Sequence, residues 1–138
     1  FITENGTADE EDFFRGSYLI EHLLAVHKAI KEKIPVLGYI QWSLTDNFEW
    51  SDGYCPKFGL VAVDRKNNFK RIPRDSYSLY QSIVSEYKIT TTMRKKAWEK
   101  VQGRFNKNRS ICRAENAEDA LDQPRQRKFA PIDWRFNL

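Results

Sequence analysis

Short apolar runs alternate with longer amphipathic stretches over the first two thirds of the chain. Phe1-Ile2-Thr3 leads into Glu4 and then into the turn pair Asn5-Gly6. That layout predicts a short strand over residues 1–5 with a carboxylate near its carboxyl end. The acidic stretch Asp9–Asp12 predicts a loop or the start of a helix, where negative charge meets the positive end of the helix dipole. From Ser17 to Lys33 the apolar positions Ile20, Leu23, Leu24 and Ile30 recur at helical spacing, with Glu21, Lys28, Lys31 and Glu32 on the wet side and Pro35 closing the helix. Val36–Trp42 is too continuously apolar for a half-exposed strand and reads as a buried one. Residues 43–57 predict a long loop, residues 58–64 an extended segment, and Asp64–Phe69 a polar turn. A second helix starts at Pro73 or Asp75 and runs to about Tyr87, with Tyr77, Leu79, Tyr80, Ile83 and Val84 available for packing.

Residues 1–87 therefore predict strand–helix–strand–loop–helix, an α/β arrangement of two βα units. Two units cannot close an eight-stranded barrel, which takes about 250 residues. Beyond them, Met93–Arg104 predicts a short helix. Asn106–Leu138 has little periodicity and ends in the aromatic stretch Pro131-Ile132-Asp133-Trp134-Arg135-Phe136.

Charge separates the same two parts. Residues 1–87 carry 10 Lys/Arg against 13 Asp/Glu, a net of −3, and residues 88–138 carry 13 against 6, a net of +7. A basic tail thus follows a mildly acidic body. The aromatic fraction, 14%, is high and suits either carbohydrate binding or core packing. Two cysteines, Cys55 and Cys112, lie in segments of different character, so reduced thiols are expected over a disulfide framework. No run reaches the roughly 18 apolar residues of a membrane span. The chain begins at Phe1 and its one methionine is Met93, so it reads as the carboxyl-terminal piece of a longer protein with any targeting segment upstream.

A carboxylate at a strand end can attack a sugar's anomeric carbon or move a proton. Alone, Glu4 could equally be a turn or capping group. Glu49 lies seven residues past Trp42 and adjoins Trp50. An indole offers a flat apolar platform for a pyranose, and a carboxylate accepts paired hydrogen bonds from sugar hydroxyls. Trp42 could instead be core, and Glu49 could pair with Lys57. His22 and His27 follow the packing and surface pattern of the first helix, and no His or Cys spacing suggests a metal.

Several segments together resemble the carboxyl-terminal quarter of a family 1 glycoside hydrolase. They are Thr3-Glu4-Asn5-Gly6, Trp42-Ser43-Leu44-Thr45-Asp46-Asn47-Phe48-Glu49-Trp50, Gly53-Tyr54, Lys57-Phe58-Gly59-Leu60 and Val63-Asp64, with Arg71, Pro73, Ser76 and Tyr80. The resemblance covers residues 1–87. It implies a (β/α)8 TIM barrel of which this chain holds the last two βα units. Glu4 then matches the catalytic nucleophile, and Trp42 the platform under the sugar. Glu49 matches the acid gripping O4 and O6, Trp50 an indole donating to a neighbouring hydroxyl, and Phe58 an aromatic wall. The family's acid/base glutamate sits in a Thr-Xaa-Asn-Glu-Pro motif that this sequence lacks.

Tail words narrow the resemblance. Ala97-Trp98, Arg113-Ala114, Leu121-Asp122 with Pro124, and Asp133-Trp134-Arg135-Phe136 are similar to the extension of the plant-type galactolipid:galactolipid galactosyltransferase branch. This implies transfer of galactosyl groups between galactolipids at the chloroplast outer envelope membrane. The alternatives are an ordinary β-glucosidase or β-galactosidase in the cytoplasm or secreted. No cofactor, metal or nucleic acid is implied. The basic tail suits contact with an anionic membrane surface. The chain on its own is expected neither to fold stably nor to turn over glycosides, because the proton donor and six strands are missing.

Overall fold

A computed structural model describes residues 1–102, 110–111 and 125–126. Strand β1 (Ile2–Asn5) leads through α1 (Arg15–Lys31) to β2 (Tyr39–Gln41), which pairs with β1 in parallel. This is one strand–helix–strand unit, as the apolar runs predict, but its second strand is shorter than Val36–Trp42 and is not buried. Leu37 and Ile40 are exposed, and within the strand Gln41 alone is buried, because no further strand lies beside it among the described residues. A 3-10 turn (Trp50–Asp52) lies in the following loop. A hairpin comes next, β3 (Val61–Asp64) antiparallel to β4 (Lys70–Pro73), before α2 (Asp75–Glu86) and α3 (Thr91–Gln102). Two short strands, β5 (Ser110–Ile111) and β6 (Arg125–Gln126), pair antiparallel. The terminal aromatic stretch and most of the tail words fall outside the described residues.

The hairpin differs from expectation. Its first arm and turn were legible, and its second arm was not. Lys70–Pro73 is exposed at all four positions, so no alternation marks it. The turn forms because the Asp64 carboxylate accepts the amides of Lys66 and Asn67 at 3.1 and 3.2 Å.

Helix α1 also stops earlier than Pro35. Lys33 adopts φ 68, its amide donates to the carbonyl of Ile30, and the Ile34 amide reaches back to Ala29, both at 3.0 Å. This is a Schellman ending, which uses up the last carbonyls without needing proline. Leu19 and Ile20 on α1 are completely buried, with Phe13, Leu60, Ile83 and Val101 completing the apolar core. Ile30 and Val84, expected to pack, are about half exposed.

Glu21 was expected on the wet side and is not there. Arg94 of α3 donates to its carboxylate twice, at 2.7 and 2.9 Å, and the Trp98 indole donates at 2.8 Å. The helix carrying Trp98 therefore docks on α1. Cys55 is disulfide-bonded, which corrects the expectation of reduced thiols, and Cys112 lies outside the described residues. Among the described residues no helix is long and apolar enough to cross a membrane.

Burial alone would raise the Glu21 pKa, but the bonds from Arg94 and Trp98 outweigh it and hold the group below its ordinary value. A depressed carboxylate contributes stability above its unfolded pKa and loses it as pH falls through the folded one. Glu21→Gln is therefore expected to destabilise α3 docking at neutral pH by about 1–3 kcal/mol. The difference from wild type should shrink as pH drops below about 4.5, the ordinary carboxylate value. Hydrogen exchange of α3 amides across pH measures both.

Candidate active site

The chain places Glu4 where a parallel sheet exposes chemistry, at the carboxyl end of β1. The strand is irregular there. Ile2 pairs with Tyr39 and Asn5 with Gln41, so β1 carries one extra residue across the stretch that holds Glu4. Bulges of this kind re-aim a side chain next to a site. Glu4 is solvent-exposed.

The next residue faces a polar network against α1. Asn5 donates to the Tyr18 hydroxyl at 3.3 Å and accepts from the Tyr39 hydroxyl at 2.8 Å. The Tyr39 oxygen also lies 3.0 Å from Gln41 Oε1, and Gln41 Nε2 donates to the Trp42 carbonyl at 2.8 Å. Burial pushes the Tyr39 phenol up, which keeps its proton on as a donor. These bonds fix β1 against β2, and with it the strand end that carries Glu4. Backbone pairing continues past β2, from the Trp42 amide to the Asn5 carbonyl at 2.9 Å.

Trp42 joins Ser43 through a cis peptide bond. Its carbonyl passes so close to Gly6 that a Cβ there would lie 1.7 Å from the oxygen, so only glycine fits. The indole is half-buried, and its Nε1 donates to Glu49 Oε1 at 3.1 Å. The seven-residue spacing thus brings the acid and the indole together. The alternative partner for Glu49, Lys57, instead donates to the Tyr54 carbonyl at 2.5 Å.

The Glu49 pKa is raised. Burial is the main cause, and the neighbouring charges of Glu4 and Asp52 add to it, while hydrogen bonds from Trp42 and Asn47 oppose it. Glu4 and Glu49 therefore share one electrostatic neighbourhood although 45 positions separate them in sequence. Asn47 is itself oriented, donating to Ser43 Oγ at 3.1 Å and to the Thr45 carbonyl at 3.3 Å.

Trp50 is 84% exposed, on the 3-10 turn next to Glu49. Phe58 is half-buried. His22 stacks on Tyr18, with ring centroids 3.9 Å apart, and its Nδ1 lies 2.8 Å from the Tyr18 carbonyl, while His27 is exposed. Neither histidine joins the carboxylates.

Sequence reasoning missed the residues that hold this loop. Asp46 receives both terminal nitrogens of Arg74, at 3.0 and 2.9 Å. It also accepts the amides of Gly59 at 2.9 Å and Val63 at 3.4 Å. Arg15, completely buried, bonds to the Asp12 carboxylate, to the Asp9 carbonyl at 2.5 Å and to the Lys57 carbonyl at 2.6 Å. Arg74 looks like an ordinary surface charge in the sequence because Asp46 lies 28 positions away, and Arg15 does because its grip on Lys57, 42 positions on, leaves no local mark beside its nearby acids.

The sequence model of glycosyl hydrolase family 1 matches residues 1–89. Over 98% of its length the chain is 47% identical to the galactolipid galactosyltransferase SFR2, chloroplastic, of Arabidopsis thaliana. Over the same share it is 49% identical to the beta-glucosidase-like SFR2, chloroplastic, of Oryza sativa subsp. japonica. It covers only 23% and 22% of those two proteins, less than a quarter of each. A beta-galactosidase of Saccharolobus solfataricus is 44% identical over 65% of the chain and is covered to 18%. Among solved structures, the beta-glycosidase from Pyrococcus horikoshii superposes with a TM-score of 0.66 at 44% identity, covering 70% of this chain and 22% of its own. The α/β arrangement is thus a carboxyl-terminal part of a TIM barrel.

Removing the Glu4 charge should ease ionisation of Glu49. In Glu4→Gln the Glu49 pKa is expected to fall toward its ordinary value, with burial keeping part of the shift. Carboxyl titration by infrared or carbon-13 NMR measures it, and an unmoved Glu49 would mean the two groups are not coupled.

Proposed function

The chain belongs to glycosyl hydrolase family 1, and from that premise we propose that it carries the nucleophile half of a retaining site that moves galactosyl groups between galactolipids. The observation that supports this reading best is the grouping at the strand ends. An exposed carboxylate, Glu4, lies beside a second acid, Glu49, held by an indole.

In the complete protein a Glu4 oxygen attacks the anomeric carbon. The bond to the leaving oxygen breaks as a glutamate from an earlier strand protonates it, giving a glycosyl ester on Glu4. The two carboxyl groups of a retaining pair stand about 5–5.5 Å apart. A hydroxyl then attacks the same carbon, gives its proton to that second glutamate, and frees the Glu4 carboxylate. When the hydroxyl is water the outcome is hydrolysis; when it belongs to a galactolipid headgroup the outcome is transfer. Trp42 is the platform under the ring, Glu49 accepts from O4 and O6, Trp50 donates to a neighbouring hydroxyl, and Phe58 is a wall. With Glu49 Oε1 anchored by Trp42 Nε1, its remaining acceptor capacity is available to a sugar.

Transfer is preferred over hydrolysis because likeness to the two SFR2 proteins runs through 98% of the chain. The beta-galactosidase and beta-glucosidase relatives match over 46–65% of it. Both SFR2 proteins carry the description chloroplastic, and we assign the same compartment, at its outer envelope membrane.

Glu4→Gln in the full-length enzyme is expected to lower turnover by several orders of magnitude. A 2-fluoro sugar inactivator should label Glu4 in the wild type. Labelling elsewhere, or near-normal turnover of the variant, would remove the nucleophile assignment. Oligogalactolipid from galactolipid vesicles marks transfer, and free galactose alone marks hydrolysis.

The net of +7 over residues 88–138 supports membrane-surface contact, at about 1 kcal/mol for each basic residue near anionic headgroups. Full-length protein truncated after residue 102 keeps α3 and loses 8 Lys/Arg and 5 Asp/Glu, a net of +3, and should co-sediment less with anionic vesicles than the intact protein. Equal binding defeats the role of residues 103–138.

A further inference from the structure

The loop that carries Glu49 is held from behind. Residues 43–46 and 58–61 are zipped together through the amide of Ser43 to Phe58, Leu60 to Ser43, Val61 to Leu44 and Asp46 to Val61, at 2.9–3.3 Å. The Arg74 guanidinium closes this zip. It bonds both oxygens of Asp46 and, at 2.6 Å, the Gly59 carbonyl. The two side chains are 9% and 7% exposed, so the pair works out of water and in fixed geometry. A Cβ on Gly59 would lie 2.2 Å from the Asp46 amide, which shows how closely the two segments meet.

Arg15 grips the other side of the same segment. Its Nη2 and the Asp9 amide both reach the Lys57 carbonyl, at 2.6 and 3.0 Å. The residue between the two grips is Phe58. On the other strand of the zip, Asp46 is followed by Asn47, whose amide donates to Ser43 Oγ at 3.1 Å, and Ser43 follows Trp42, whose indole donates to Glu49 at 3.1 Å. The path from Arg74 to Glu49 is therefore short: the bidentate ion pair to Asp46, the Asn47–Ser43 hydrogen bond one residue on, and the indole hydrogen bond of the adjoining Trp42.

We infer that Arg74, acting through Asp46, is a positioning residue that sets how Glu49 and Phe58 meet the sugar, and so sets discrimination among sugar hydroxyls. It touches no substrate. The inference rests on the reading of Glu49 as the acceptor for O4 and O6. It differs from a purely structural role in one respect: the loss falls on the hydroxyl that Glu49 receives and not equally on every substrate.

The test uses the full-length enzyme and two aryl galactosides, one complete and one lacking O6. Arg74→Lys keeps the charge but cannot form the planar fork. It is expected to lower the ratio of kcat/KM between the two substrates by about tenfold, most of it through KM of the complete galactoside. Labelling of Glu4 by a 2-fluoro sugar should stay stoichiometric. In a Glu49→Gln background the same substitution should leave the already reduced ratio unchanged. Asp46→Asn provides the same reading by an independent route should Arg74→Lys fold poorly. An unchanged ratio, an equal loss for both substrates, or full additivity with Glu49→Gln overturns the inference while the nucleophile assignment stands. Loss of folding in both variants also overturns it, making the pair structural only. Failure of wild-type labelling at Glu4 instead removes the functional reading beneath it.

Discussion

Burying charge is costly unless every charge is answered, and this chain buries five charged side chains together. Arg15, Asp9 and Asp12 are at most 6% exposed, and the Arg74 and Asp46 side chains are nearly as deep. The two guanidinium groups are near enough to repel. Burial is the largest influence lowering the Arg15 pKa, Asp12 opposes it, and Arg74 adds to it. Three carboxylates offset the two cations. Deleting one member of such a group strands the others, which costs about 3–5 kcal/mol for a buried pair. The carboxylates also serve the backbone. Asp9 accepts the Phe14 and Arg15 amides at 2.9 Å, at the start of α1, and Asp12 accepts the Ser76 amide at 2.8 Å, at the start of α2. Negative charge at a helix N-terminus is favourable on its own account. One cluster therefore fixes two helix starts and the segment around Phe58.

That cluster and the Tyr18–Asn5–Tyr39–Gln41 network lie on the side of the strands that α1 covers. The other side is open. Phe1 and Leu37, just before the two strands, and Ile40 within β2 are 76%, 73% and 54% exposed, a cluster of bare apolar side chains. In a family whose barrel has eight strands, neighbouring strands would cover such residues. The same open side carries Glu4. The satisfied side supplies rigidity, and the irregular strand end turns Glu4 away from it.

Much of this could be read from the residues. Both parallel strands, the three helices and the polar hairpin turn follow from apolar spacing and turn chemistry. Spacing leaves the partner of Glu49 open between Lys57 and the sugar site implied by the family resemblance, and the structure pairs it with Trp42. What could not be read shares one physical cause. Arg74 finds Asp46 28 positions away, Arg15 finds Lys57 42 positions away, and Glu21 finds Arg94 73 positions away. A charged residue paired at long range has the same sequence signature as one in water. The Lys70–Pro73 strand was hidden for a related reason, since its partner β3 defines it and its own side chains do not. The Cys55 disulfide likewise depends on a distant part of the chain.

The raised pKa of Glu49 bears on how the half-site works. An acid that grips neutral hydroxyls is most useful as an anion, yet burial and the Glu4 charge both resist ionisation. The indole and the Asn47 amide counter them by donating to the charged form. On the proposed reading Glu4 becomes a glycosyl ester, and its charge disappears. One of the influences against Glu49 ionising is then gone, and its acceptor strength toward the sugar rises at that step. On that reading the contact of Glu49 with the ring strengthens in the covalent intermediate, before any acceptor arrives. It therefore acts alike on release to water and on transfer to a headgroup hydroxyl, and the choice between them lies with the acceptor side of the complete protein.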